Sequence, residues 1–527
     1  MFLYLRAEST TISAYRSVRF GRWYATSASN DLQRHWKKPK GRHEGGRNIN
    51  DNTSPSNSKY ASKQSRQNNK HLHYTKPELQ PFQPPFSAFI SCLPGLEPLL
   101  LKEVEYLHSH WSSNNDHKAR SRSIPQILAG GVALTVPSLH HLHILHLYLG
   151  TASHIYLRLN DDNLFTARGF PELQRKVKDL IISQRWDQWL TNNGHSGNES
   201  SPVNVQIHVT TSKSKLVHTK AVEERLKQTI GEVIPRIHSS ESDAQATIRL
   251  MARINRDVVQ LSLDTSLTPL HRRGYRLKPY KAPLREDLAY ALLMSGGLMP
   301  IYDLRSQFPN NADDSSLPPS SRGRKFALFD PFCGSGTIAI EGASLQLGLP
   351  PGRFRPPPLE GTSFCNPALW EEMISKALSV SGAEQNEFIP VAAGDIDPKA
   401  LDAAISNAKR AGVVDSINFV KGSFVFHPYL KQQSSPEGNS NLVDRTQSLL
   451  VVANPPYGKR LSANEKRSTI YRKLANALLS LSSPRSIDCA MIGTDLRVMR
   501  EAGLPLKVAF STKHGGLNVV AMSGKLP

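Results

Sequence analysis

The pattern of apolar and polar positions divides the chain into three stretches. In residues 25–85 no period is sustained: Asn, Ser, Gln, Lys, Arg and His dominate, ending in Pro81-Phe82-Gln83-Pro84-Pro85. Such a segment buries too little apolar surface to offset its ordering entropy, so a basic, disordered tether is expected there. From Phe86 a period of two appears. Phe86 to Ser91 reads as a strand, Pro94-Gly95 punctuates it, and Leu96 to Val104 has helical periodicity with Pro98 in its first turn. Gly130 to Val136 and Val203 to Val209 read as further strands. Leu139 to Arg158 reads as a helix that turns extended, Thr219 to Ile230 as a helix, and Ala246 to Asp264 as two strand-like runs. Residues 86–265 therefore predict a mixed α+β module.

Beyond a linker at 266–285 the pattern changes again. Phe326 to Asp330, Phe388 to Ala393, Ile417 to Val420 and Leu449 to Ala453 are short, continuously apolar runs. Helical segments such as Thr337 to Leu345 and Pro398 to Ala411 separate most of them. This alternation predicts a doubly wound, mostly parallel sheet over residues 286–527, an α/β fold. The polar runs 310–324 and 432–447 are expected to be loops.

Composition changes this picture in two places. The formal net charge is +21, and residues 1–80 hold 15 Lys and Arg against five Asp and Glu, so close to half of the excess lies ahead of the first strand. The rest of the chain remains basic, which favours a polyanionic partner. Residues 1–24 carry Arg6, Arg16, Arg19 and Arg22 against the single acid Glu8, and Arg22-Trp23-Tyr24-Ala25 resembles a matrix-peptidase site. A mitochondrial transit peptide, and hence the matrix, is expected. The four cysteines, Cys92, Cys333, Cys365 and Cys489, are too scattered for a disulfide scaffold or a zinc ribbon. No membrane span is expected, because no apolar run reaches about 18 residues.

Three motifs carry the chemistry. Asp330-Pro331-Phe332-Cys333-Gly334-Ser335-Gly336-Thr337 follows a strand and opens a helix. Its glycines allow a tight turn and close approach of a ligand. It lacks both the dinucleotide spacing and the lysine of a phosphate loop, which favours a small nucleoside-type cofactor. Gly394-Asp395-Ile396-Asp397-Pro398 ends the next strand. Asp395 is the candidate acceptor for two ribose hydroxyls, with Ile396 beside it, while Asp397-Pro398 also suits a helix cap. The third motif is Asn454-Pro455-Pro456-Tyr457, where the Asn454 side-chain oxygen and rigid carbonyls offer acceptors to a planar amine. Tyr457 offers a face for an extruded base.

Residues 86–527 resemble the THUMP-containing guanine-N2 methyltransferases of the K/L type, which act on large-subunit ribosomal RNA. The resemblance rests on Pro94 to Glu97, Gly130 to Val132, Leu270 to Arg276, Ala282 to Glu286, the Asp330 and Asn454 motifs with Arg460-Leu461, and Gly515 to Leu517. It implies a Rossmann-like class I methyltransferase domain that binds S-adenosylmethionine, preceded by a ferredoxin-like/THUMP module that grips structured RNA. On that resemblance Asp330 to Thr337 surround the methionine end of the cofactor, Asp395 holds its ribose, and Asn454 to Tyr457 present the base. Three positions depart from the family: Lys421-Gly422-Ser423 stands where an acid near adenine is common, leaving Ser423 to hydrogen-bond; Asp287 stands where Thr is usual; and the stretch around Asn310 is an insertion.

The tetrapeptide alone specifies only that a planar amine is methylated, and DNA adenine-N6 enzymes share it. The upstream half and the His271-Arg272-Arg273-Gly274-Tyr275-Arg276 run favour RNA and guanine, with ribosomal RNA ahead of transfer RNA. A weakly catalytic ribosome-assembly factor is the alternative from another class. Arg272, Arg273 and Arg276 are expected either to touch phosphate or the linker or to form a solvated face. His140, His141, His143 and His146 are expected on a partly exposed helix face, not at a metal. Trp186 and Trp189 are expected to pack. No metal is required, and a monomer is expected.

Overall fold

The computed structural model describes residues 82–111, 124–161, 164–190, 203–235, 237–238, 247–277, 280, 283–300, 302–308, 326–380, 391–424, 448–456, 467–480 and 486–527. The expected transit peptide and nearly all of the tether, the loops 310–324 and 432–447, and Tyr457 lie outside the described residues.

Among the described residues the first sheet has nine strands. In chain order the elements are β1 (Phe86–Cys92), α1 (Glu97–Trp111), β2 (Gln126–Leu128), β3 (Gly131–Val136), α2 (Leu139–Tyr148), β4 (Ala152–Arg158) and β5 (Phe165–Thr166). They continue with α3 (Phe170–Ser183), α4 (Trp186–Trp189), β6 (Val203–Ser212), α5 (Thr219–Val233), β7 (Ile237–His238), β8 (Thr247–Asn255) and β9 (Val258–Asp264). The strand order is β2-β3-β1-β4-β9-β8-β6-β7, with β5 also on β9. Alternation sets the faces: β1 buries every second residue from Phe86, and β8 turns Ile248, Leu250, Ala252 and Ile254 inward. Arg253 and Asn255 on β8 and Thr210 and Ser212 on β6 stay exposed on the other face. The pair β6–β8 is parallel and runs in register from Asn204↔Thr247 to Ser212↔Asn255.

Among the described residues the second sheet has seven strands. Its elements are α6 (Glu286–Ser295), β10 (Ala327–Asp330), α7 (Thr337–Gln346), α8 (Pro367–Val380), β11 (Val391–Asp395), α9 (Pro398–Ala411), β12 (Ile417–Lys421), β13 (Leu449–Ala453), α10 (Arg467–Leu479), β14 (Ile487–Gly493), α11 (Leu496–Glu501), β15 (Lys507–His514) and β16 (Leu517–Lys525). The order is β12-β11-β10-β13-β14-β16-β15. The first five strands are parallel, and the closing β15–β16 hairpin is antiparallel. Every residue of β10 and β13 is buried, as expected of central parallel strands covered on both faces. Helix α9 shows how local chemistry sets its ends. Asp397 caps it by accepting from the Lys399 amide at 3.0 Å, Pro398 occupies the first turn, and Gly412 ends it at φ 72°. The chain winds outward from β10 to β12, then returns to β13 on the other side. The switch between β10 and β13 opens a crevice at their carboxyl ends.

The two sheets share one continuous apolar cluster running from Phe86 to Ala521. Part of the segment expected as a linker, 266–285, packs inside the protein. Leu270, Arg273, Tyr275 and Leu284 are buried in the joint. Arg273 is 1% exposed. It donates to the carbonyls of Gly150 (2.6 Å) and Leu270 (2.8 Å) and lies 3.4 Å from the Glu341 carboxylate on α7. Tyr275 donates to the other Glu341 oxygen at 2.8 Å. Burial alone would lower the Arg273 pKa, but Glu341 and then Glu286 push it above its ordinary value. Arg273 is thus neither a phosphate contact nor part of a solvated face; Arg272 beside it is exposed.

The histidine helix also differs from its expectation. In α2, His143 and His146 are fully buried. The reason is that the helix lies inside the joint: His146 meets the Thr265 hydroxyl at 2.7 Å, and the Arg355 guanidinium reaches back to the His146 and Leu149 carbonyls. Burial lowers the pKa of both histidines and keeps them neutral. Trp186 and Trp189 pack in the core with ring centroids 5.3 Å apart. Among the described residues no cluster of His, Cys, Asp or Glu suits a metal, and no helix is long and apolar enough to cross a membrane.

Candidate functional site

A pocket of about 450 Å³ opens at the carboxyl ends of β10, β11, β12 and β13, a volume suited to a nucleoside-sized ligand. Its walls bring together Pro331, Phe332, Cys333, Gly334, Ser335 and Thr337 from the first motif, Asp395 and Ile396 from the second, Ser423, and Asn454 and Pro456 from the third. Asp330, Gly336 and Pro455 are not among the lining residues.

The glycine loop is built by backbone pinning from three sides. The Cys333 amide donates to the Gly394 carbonyl at 2.9 Å, the Gly334 amide donates to Asp395 Oδ2 at 2.9 Å, and Asn407 on α9 donates to the Ser335 carbonyl at 3.0 Å. The two glycines have different tasks. Gly334 has φ 55°, and a Cβ there would meet nothing within 4 Å, so the loop backbone is open on that side. Gly336 has φ 85°, and its Cβ would lie 2.9 Å from the Ala404 Cβ. That glycine permits close packing of α7 on α9.

Asp330 is also internal. It is fully buried, Oδ1 accepts from the Phe332 amide at 3.3 Å, and Oδ2 has no partner among the described residues. Burial, reinforced by the nearby Asp395 charge, holds its pKa well above the usual carboxylate range. Burial likewise raises the Cys333 thiol pKa, which argues against a thiolate nucleophile in the loop.

On the β11 side, Asp395 accepts from the Gly334 amide through one oxygen and from the Asp397 amide at 2.9 Å through the other. Each carboxylate oxygen keeps capacity for a further donor. Ile396 is 73% exposed at the rim, an apolar side chain offered to whatever enters. Gly422, at φ 148°, donates to the Asp395 carbonyl at 3.0 Å and carries the chain to Ser423.

On the β13 side, Asn454 is 6% exposed and its Oδ1 has no hydrogen-bond partner among the described residues. The Ser335 hydroxyl is unpartnered in the same way. Both residues line the pocket, and a buried polar atom without a partner is costly unless something satisfies it. Phe332 and Phe424, with ring centroids 5.0 Å apart, add an apolar surface nearby.

Several contributors were not expected. Tyr280, Pro283 and Leu284 of the joining segment line the pocket, as does Ile470 of α10. The Tyr280 hydroxyl donates to Asp397 Oδ2, tying this segment to β11's end. Asn407 lies mid-helix and touches the loop from beneath. It is fully buried, which only the fold reveals, so no sequence signal pointed to it.

Residues 321–518 match the family of RMKL-like methyltransferase domains. The chain is 29% identical over 286 residues to the ribosomal RNA large subunit methyltransferase K/L of Alcanivorax borkumensis, covering 54% of this chain and 35% of that protein. It is 27% identical over 389 residues to the putative RNA methyltransferase YpsC of Bacillus subtilis, covering 74% and 83%. The chain spans less than half the length of the K/L relatives it matches. Among solved structures, that of SMU.472, a putative methyltransferase complexed with SAH, superposes with a TM-score of 0.60 at 19% identity, covering 83% of this chain and 97% of that one. That likeness is one of fold and spans both sheets. Residues 321–518 thus form a methyltransferase domain similar to those of the RMKL-like family and to the K/L-type relatives.

Proposed function

We propose that this protein transfers the methyl group of S-adenosylmethionine to the exocyclic N2 of a guanine in structured RNA, with large-subunit ribosomal RNA as the substrate. The observation that carries the reading is the unpartnered Asn454 oxygen in the same pocket as the glycine loop. The family match and the relatives' names support the reaction and the ribosomal substrate.

The residues present fit the cofactor. The open side of Gly334 and the unsatisfied Ser335 hydroxyl suit its amino-acid end, Asp395 suits its ribose, and Ile396 and Ser423 suit its base. When bound, it supplies an electrophilic methyl group whose departure leaves a neutral thioether, so no strong base is needed. The chain's own residues supply position and electrostatics. Asn454 Oδ1 accepts one hydrogen of the guanine amine, and the rigid Pro455-Pro456 backbone fixes where that acceptor points. Phe332, Phe424 and Pro456 exclude water from that side. Tyr457 completes the reading as the stacking face.

The first sheet is proposed as the RNA-gripping ferredoxin-like/THUMP module. In support, a notch of about 390 Å³ at the ends of β6 and β8 is lined by Lys213, Arg253 and Arg256 together with Thr210, Thr211 and Ser212. Cations and hydroxyls without a carboxylate suit phosphodiester oxygens. The arginine-rich residues 1–24 are proposed to direct the protein to the mitochondrial matrix. The test is incubation of the purified protein with labelled S-adenosylmethionine and mitochondrial ribosomal or transfer RNA, followed by nucleoside mass spectrometry. N2-methylguanosine in ribosomal RNA is the expected product. Methyl transfer to neither RNA contradicts the proposal.

A further inference from the structure

Two walls of the pocket come from distant parts of the chain and meet at one guanidinium. Leu284 belongs to the segment joining the sheets, and Thr337 opens α7 behind the glycine loop. Arg276 Nη2 donates to the Leu284 carbonyl at 2.7 Å and to the Thr337 hydroxyl at 2.8 Å. Both hydrogens of that nitrogen are thereby used. Glu286 Oε1, on a residue 5% exposed, lies 3.3 Å away and compensates the charge. Arg276 is not itself among the lining residues.

We infer that Arg276 is a positioning residue for the cofactor, stapling the Leu284 wall to the Thr337 turn, and not a contact to RNA phosphate. The inference rests on the cofactor assignment made above. Geometry supports the staple over the alternative: the side chain is 14% exposed, and its Nη2 is committed to two neutral acceptors inside the protein. Because the Thr337 hydroxyl accepts from Arg276, its own proton is left to donate elsewhere. A lysine in this place has no planar fork and cannot reproduce the arrangement of donors.

The experiment uses the full chain and S-adenosylhomocysteine as the calorimetric probe. Arg276→Met should weaken its binding about tenfold, the loss expected for hydrogen bonds from a charged group. KM for S-adenosylmethionine should rise in parallel, with kcat at saturation much less affected, and RNA affinity and its salt dependence unchanged. Arg276→Lys should restore only part of the loss. Thr337→Val should reproduce the defect and add little when combined with Arg276→Met, a non-additivity expected of residues that act through one contact. If Arg276→Met does not fold because Glu286 is left uncompensated, Arg276→Met/Glu286→Gln carries the same comparison.

Unchanged affinity for S-adenosylhomocysteine in the variants overturns the inference. So does a fall in RNA affinity with cofactor affinity intact, or a lowered melting temperature alone. A wild-type chain that binds no S-adenosylhomocysteine overturns the cofactor assignment, and this inference with it.

Discussion

Replacing Arg273 with Met removes a charge that the structure has sealed between the two sheets. Methionine keeps an apolar stem of similar reach, so the loss falls on the guanidinium. Two things are left behind: the Gly150 carbonyl without this donor, and Glu341, 4% exposed, without its nearest cation, whereas the Leu270 carbonyl keeps the Arg355 donor at 2.7 Å. Removing one partner of a buried pair costs about 3–5 kcal/mol. For a folded unit of a few hundred residues each kcal/mol shifts the melting temperature by about 2–4 °C, so a fall of about 10 °C is expected. Scanning calorimetry on the full chain reads it directly. Arg273→Met/Glu341→Gln should recover a large part, because the stranded carboxylate is gone. A variant that melts within about 2 °C of the native protein, yet loses affinity for RNA, would restore the phosphate-contact reading and refute the buried staple.

Two further outcomes follow from the same structure. Burial, with His140 and His108 adding, lowers His141 to about 4, and burial with Arg285 lowers His271 to about 3, whereas the unfolded chain takes up these protons near 6.5. Their stabilising contribution is therefore complete above pH 6.5 and is lost as pH falls towards those values, at up to about 1.4 kcal/mol per unit for each histidine before solvent screening reduces it. Urea unfolding between pH 6.5 and 5 should show the loss and His141→Gln should flatten it; equal slopes would contradict the assignment. Alanine at Lys213, Arg253 and Arg256 together should weaken RNA binding and reduce the slope of log affinity against log salt by about two, with cofactor affinity unchanged. An unaltered slope would move the RNA contact elsewhere.

What the sequence made legible follows from physical causes. Strands β10 and β13 were readable because burial on both faces demands unbroken apolar runs, and α9 because Asp397-Pro398 and Gly412 mark its ends chemically. The hairpin β15–β16 was not, because β15 is an edge strand exposed along most of its length and carries little alternation. Pocket residues on strand ends could be named from their motifs. Asn407 and Tyr280 could not, because their partners Ser335 and Asp397 lie 72 and 117 positions away. Arg273 shows the limit most clearly. A basic run reads alike whether solvated or buried, and Glu341 and Gly150, which decide the matter, stand 68 and 123 positions distant. For Gly336 the close approach of Ala404 adds a helix-packing role that the motif did not show.

The central claim is that Asn454 presents an amine to the methyl donor held above the glycine loop. It is tested most directly by single-turnover methyl transfer in the Asn454→Ala protein, measured beside its calorimetric affinity for S-adenosylhomocysteine. Losing one acceptor that works mainly in the transition state should slow transfer about a hundredfold or more. Affinity for S-adenosylhomocysteine should stay near that of the native protein, and the native product should be N2-methylguanosine. Near-native transfer by Asn454→Ala, or a native product methylated on another base, would contradict the account.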